Sequence, residues 1–140
     1  MDNPIKDHKI AIIKGDGIGV DVVNEAVKVL HTISAKHQVH FQLTNYPWGS
    51  NYYFEHGMMA PEEFLDVLEP YDAILLGAVG HPKIQDNITL DGLLLPIRRK
   101  FDQFVCLRPS VLYPGVTSPL IGKSPYDIDL IVIRENTEGE

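Results

Sequence analysis

Cysteine is nearly absent: Cys106 is the only one in 140 residues, which excludes an internal disulfide and a cysteine-based zinc site. Nothing beside it marks a nucleophile, and a small buried side chain is expected. Long apolar runs are missing too. The uncharged hydrophobic stretches fall far short of the roughly 20 residues that span a bilayer. Met1-Asp2-Asn3-Pro4 lacks the basic and apolar regions of a signal peptide. A cytoplasmic protein with no membrane partner is therefore expected. Positive charge is in deficit, with 12 Lys and Arg against 19 Asp and Glu, a formal charge of −7. Arg98-Arg99-Lys100 is the longest basic cluster, so nucleic acid is disfavoured as a partner. The six histidines, at 8, 31, 37, 40, 56 and 81, form no metal-binding pattern, and no Ser-His-Asp arrangement can be argued.

What is present is ordinary for a globular domain, 44% hydrophobic and 22% charged residues. His8 to Ile13 reads as a strand ending at Gly15-Asp16-Gly17-Ile18-Gly19, and apolar residues then recur at 22, 23, 26, 27, 30 and 33 with helical spacing. Val39 to Tyr46 is a second strand candidate, followed by an aromatic segment from Trp48 to His56. Pro61-Glu62-Glu63 suits a helix start, with proline in the first turn and acids near the positive end of the dipole. Asp72 to Gly77 reads as a buried strand broken by Gly80-His81-Pro82. Residues 84–89 are expected to be loop, with Asp91 capping a helix over about 92–103 whose first turn would hold Pro96. Residues 104–112 return to extended structure, although Pro109, Pro114, Gly115 and Pro119 exclude a regular central strand there. Ile128 to Ile133 is expected to be a strand buried on both faces. Alternating strands and helices predict an α/β fold with a parallel or mixed sheet.

Gly15 to Gly19 lies between strand and helix, where backbone N–H groups can meet a phosphate. Its spacing is not the Rossmann G-x-G-x-x-G, and there is no Walker lysine, so a plain tight turn competes with a cofactor loop. Gly77-Ala78-Val79-Gly80 carries the same ambiguity. Arg98, Arg108 and Arg134 each stand at the edge of an apolar segment. Guanidinium groups hold carboxylates through paired, charge-assisted hydrogen bonds, so three brought together would suit a small polyanion. The competing reading makes Arg98 an exposed helix partner of Asp102, four residues on.

These segments together resemble the isocitrate/isopropylmalate dehydrogenase family, the β-decarboxylating dehydrogenases. The likeness is carried by residues 10–19, Leu76 to Gly80, Leu94 to Arg98 with Leu107-Arg108-Pro109, and Ile133-Arg134-Glu135-Asn136-Thr137-Glu138-Gly139-Glu140. Pro47-Trp48, Asn51-Tyr52-Tyr53 with His56-Gly57, and Arg98 to Gln103 resemble its tartrate/D-malate branch. The resemblance implies the isopropylmalate dehydrogenase-like α/β fold, not a Rossmann domain. It gives 1–103 as part of a first, cofactor-side domain and 104–140 as the opening strands of a second, substrate and dimer domain. The implied activity of the complete enzyme is NAD-dependent oxidation of a small 2-hydroxy diacid. Decarboxylation with Mn2+ or Mg2+ follows where a β-keto acid forms.

By the same resemblance Arg98, Arg108 and Arg134 grip the substrate carboxylates, while Ile18, Gly80 and Asp91 border the cofactor. The family's catalytic tyrosine and lysine and its metal-binding aspartates would lie beyond residue 140, so the chain is read as an N-terminal fragment, inactive alone and homodimeric when complete. Asp91 stands where isopropylmalate enzymes place glutamate. A 3-isopropylmalate dehydrogenase of leucine synthesis is the alternative substrate reading, and a non-catalytic subunit or remnant is the alternative class.

Overall fold

A computed structural model describes residues 6–136; the ending Thr137-Glu138-Gly139-Glu140 and the start Met1-Asp2-Asn3-Pro4 lie outside the described residues. The chain divides into two compact units, Met1–Ile97 and Arg98–Glu140.

The first unit is a three-stranded parallel sheet in the order β2-β1-β3, formed by β1 (Lys6–Gly15), β2 (Val39–Tyr46) and β3 (Ala73–Ala78). A parallel sheet covered on both sides needs continuous apolar strands. β1 supplies one, with Ala11, Ile12 and Ile13 all buried. Helix α1 (Ile18–Lys36) returns the chain from β1 to β2 and buries Val23. Val22 and Ile33, part of its apolar pattern, remain exposed. β3 is half-buried rather than buried, because it forms one edge of the sheet. The aromatic segment folds as α2 (Ser50–His56), and α3 (Phe64–Leu68) follows the turn at Pro61, buries Phe64 and Leu68, and stops before Pro70.

Two expectations fail after β3. Residues 84–89 are not all loop: α4 (Asp86–Thr89) starts there, with Gln85 as N-cap, and Asp91 lies inside the helical run instead of capping it. The run continues through a widened turn at Leu90–Leu94 into α5 (Leu95–Lys100). In that turn the Leu95 N–H bonds to the Leu90 carbonyl, five residues back. Pro96 explains the widening: its missing N–H and its ring forbid the regular bond to the carbonyl four residues earlier. Thr89, Leu93 and Ile97, at four-residue intervals, are the buried stripe that holds the run in place.

The second unit contains the end of α5, a tight turn with Asp102 at φ 46°, and an antiparallel pair, β4 (Val105–Val111) and β5 (Asp129–Glu135). Pro109 is tolerated because β4 pairs on one side only among the described residues. β5 is not buried on both faces. Ile133 is 70% exposed and Val132, on the opposite face, 49%. The apolar run forms the strand as expected, but the second unit places no layer over either side of it. Cys106 is half-buried, not buried, for the same reason. No helix among the described residues is long and apolar enough to cross a membrane.

Candidate functional site

β1 has β2 on one side and β3 on the other, so the sheet changes direction of winding at the carboxyl ends of β1 and β3. Open α/β sheets bind ligands at such a point. The two glycine turns meet there, and Asp16 joins them. Its Oδ1 accepts the Ser50 N–H at 2.8 Å, and its Oδ2 accepts the Ser50 hydroxyl at 2.6 Å and the Gly80 N–H at 2.9 Å. The Asp16 N–H in turn donates to the Ala78 carbonyl at 2.7 Å. One carboxylate therefore fixes three segments at once.

Glycine is required where these turns touch. A Cβ at Gly77 would stand 2.2 Å from the Lys14 carbonyl oxygen, and one at Gly19 would stand 2.5 Å from the Ala78 nitrogen. The crevice is thus filled by backbone. Gly19 and Val20 also donate their N–H groups back into the turn, to Asp16 and Gly17. With these donors engaged and Asp16 in the middle, the turn does not cradle phosphate. Ile18 projects from it, 67% exposed. Asp91 is not among the groups that Asp16 ties together. It is exposed, on the wall of a cleft of about 410 Å³ with Tyr53, Met59 and Asn87.

All three arginines belong to the second unit. Arg134 pairs with Cys106 and Arg108 with Val132. Residues opposed in an antiparallel pair share a face, and so do residues two apart on one strand, so Arg108 and Arg134 lie diagonally on the same face, roughly 7–8 Å apart at the backbone. Arg108 is exposed, with no ion pair among the described residues, and Arg134 is half-buried. Two forked cations at this spacing can hold two carboxylate oxygens sets of one small molecule or two carboxylates of a diacid.

Arg98 is linked through its backbone to Asn136, two residues beyond Arg134. Its carbonyl accepts the Gln103 N–H at 2.9 Å, and the Gln103 carbonyl accepts the Asn136 side-chain amide at 3.4 Å. Asn136 is 7% exposed and its Oδ1 is buried without a hydrogen-bond partner. Asn136 and Asp16 are the residues that sequence reasoning left without a role. The only sequence signal for Asp16 was its position between two glycines; for Asn136 it was adjacency to Arg134-Glu135. Among the described residues, no group of three or more His, Cys, Asp or Glu side chains can hold a metal ion. The described residues do not by themselves fit Mn2+ or Mg2+.

The profile of isocitrate/isopropylmalate dehydrogenases matches residues 9–140. The chain is 48% identical over 138 residues to a probable tartrate dehydrogenase/decarboxylase of Bacillus subtilis, covering 97% of this chain and 38% of that protein. It is 47% identical over 138 residues to the decarboxylating D-malate dehydrogenase of Escherichia coli, with the same coverage. Against a 3-isopropylmalate dehydrogenase of Thermobifida fusca the identity is 46% over 131 residues, 94% of this chain and 37% of that one. Among solved structures, the β-decarboxylating dehydrogenase of Thermococcus kodakarensis superposes with a TM-score of 0.64 at 28% identity, covering 94% of this chain and 35% of that chain. The chain thus spans less than two-fifths of the length of the curated relatives it matches.

Proposed function

The chain belongs to the isocitrate/isopropylmalate dehydrogenase family, and from that membership we propose that it supplies the first part of an NAD-dependent enzyme oxidising a small 2-hydroxy diacid, D-malate or tartrate. The observation that carries this reading is the diagonal pair Arg108 and Arg134 on one face of β4–β5. Their guanidinium groups bind the substrate carboxylates, Arg98 adds a third contact, and the fixed carboxylates orient the substrate. NAD, when bound, accepts the hydride from C2. Ile18, the Gly80 turn and Asp91 border it. Asp16 contributes by holding Gly80 and Ser50 in place, so that the rim is preformed. The divalent metal belongs to residues outside this chain. The complete enzyme is a cytoplasmic homodimer in the same reading.

Near-equal identity to tartrate, D-malate and isopropylmalate enzymes does not select the substrate. Asp91 favours the smaller diacids, because an alkyl group resting beside an ionised carboxylate loses part of its apolar gain. The 3-isopropylmalate reading has its own support in Leu94 and Leu95, half-buried where the widened turn passes into α5, which offer apolar surface for an alkyl chain. Comparing kcat/KM of the complete enzyme for D-malate, tartrate and 3-isopropylmalate tests the assignment. A preference of roughly 10 to 200-fold for the smaller diacids is expected, as for pockets that sort by a few methylene groups. Preference for 3-isopropylmalate would move the enzyme to leucine synthesis. Residues 1–140 alone should produce no NADH.

A further inference from the structure

A second cavity, of about 360 Å³, opens at the carboxyl ends of β1 and β2, with Gly15, Asp16 and Gly49 of the clamped turns on its wall. Lys14, Val20, Asn45, Tyr46, Trp48 and Asn51 line it. Its aromatic side is rigid. Tyr46 and Trp48 stack with ring centroids 4.3 Å apart and 22° between planes, and Phe64 abuts Trp48 edge-on at 5.8 Å. The Tyr46 hydroxyl is held by the Tyr71 hydroxyl at 2.7 Å, so the ring contributes its apolar surface and not a free polar tip. Pre-ordered aromatic walls cost a ligand little to engage, since no side chain has to be immobilised.

The polar complement is one-sided. Lys14 is half-buried, and among the described residues its ammonium takes part in no hydrogen bond or ion pair. Asn45 and Asn51 add side-chain amides, free donors for an oxygen acceptor. The acid at the same edge, Asp16, already accepts three hydrogen bonds. An unengaged cation and two amides facing a flat apolar wall match a ligand with one anionic end and one planar end. A carboxylate suits this better than a phosphate. A single lysine compensates one negative charge, and the Asp16 carboxylate nearby penalises a dianion.

The geometry points to a binding site for a small aromatic carboxylate, with its ring against Tyr46, which backs onto the buried Trp48, and its carboxylate on Lys14. The proposal does not depend on the dehydrogenase reading.

Trp48 is the only tryptophan in the chain, so its emission reports on this cavity directly. The 140-residue chain would be titrated with benzoate, with the neutral isostere benzamide and with inorganic phosphate. Benzoate should change Trp48 emission saturably, benzamide should bind at least tenfold more weakly, and phosphate should neither change the signal nor compete. Lys14→Gln, which removes the charge from a side chain with no hydrogen-bond or ion-pair partner among the described residues, should weaken benzoate at least tenfold. No saturable response to benzoate would overturn the proposal. Equal binding of benzamide would do so without any variant, and so would competition by phosphate or unchanged benzoate affinity in Lys14→Gln. No readout involves NAD or turnover, so failure here leaves the dehydrogenase reading untouched, and the converse holds.

Discussion

Replacing Asp16 with alanine removes the acceptor for three donors at once, and the structure allows the loss to be apportioned. Ser50 is 1% exposed, so its N–H and hydroxyl would be left buried, whereas Gly80 is exposed and water can take over its N–H. A bond to a charged acceptor contributes roughly 1.5–3 kcal/mol, and a stranded buried donor costs about 1–3 kcal/mol. Allowing the Ser50 hydroxyl to turn toward another acceptor, the expected destabilisation of Asp16→Ala is about 3 kcal/mol. Asp16→Asn should cost about 1 kcal/mol, because Oδ1 still serves the Ser50 N–H while the new amide opposes the Gly80 N–H. Ser50→Ala should fall near the milder value and lose much of its effect when Asp16 is already alanine, since the two side chains share one bond. Denaturant unfolding followed by Trp48 emission measures all four variants. A cost below about 0.5 kcal/mol for Asp16→Ala, the range of ordinary surface changes, would refute the three-segment clamp.

Gly77→Ala should destabilise by about 3 kcal/mol, at the upper end of overpacking costs, because its Cβ meets the Lys14 carbonyl oxygen at 2.2 Å and backbone cannot swing aside; thermal melting of the variant checks this. Tyr46 should ionise above the usual tyrosine range. The hydrogen bond it shares with Tyr71, which holds the phenol proton, then burial, raises its pKa from 10.0 to about 12, both acting against the phenolate. Since the folded value lies above the unfolded one, the associated stability is fully present below pH 10 and is lost as pH climbs toward 12. Ultraviolet titration of tyrosinate should show a late step that Tyr71→Phe moves to lower pH, and an unmoved step would contradict the pairing.

Much of the sheet was legible because parallel strands buried on both sides must be written as apolar runs, as residues 10–13 are. The helix at Asp86–Thr89 was not legible, since Gln85 is not a customary capping residue and the signal at Asp91 was more conventional. The widened turn follows from Pro96, whose consequence was expected at a helix start but arises inside a helical run. The apolar run of β5 identified a strand correctly and its burial wrongly: composition shows what a strand can bury, not whether another layer lies on it. The candidate site divides in the same way. Ile18 and Gly80 were named only through the family resemblance, and the structure places both next to the Asp16 clamp. The role of Asp16 could not be picked from the sequence, because its partners are 34 and 64 residues away and only the folded sheet brings them to it. The diagonal of Arg108 and Arg134 likewise depends on register, which the strands' composition leaves open.

The central claim, that Arg98, Arg108 and Arg134 hold the carboxylates of a 2-hydroxy diacid, is tested most directly by steady-state kinetics of the complete enzyme with each arginine changed to lysine. Lysine keeps the charge and removes the fork. NAD-dependent oxidation of D-malate or tartrate should lose about 10²-fold or more in kcat/KM, on the order of 3 kcal/mol, while the melting temperature stays near that of the unchanged enzyme. Near-normal kcat/KM in all three variants at unchanged stability would contradict the claim and return Arg98 to the surface of its helix.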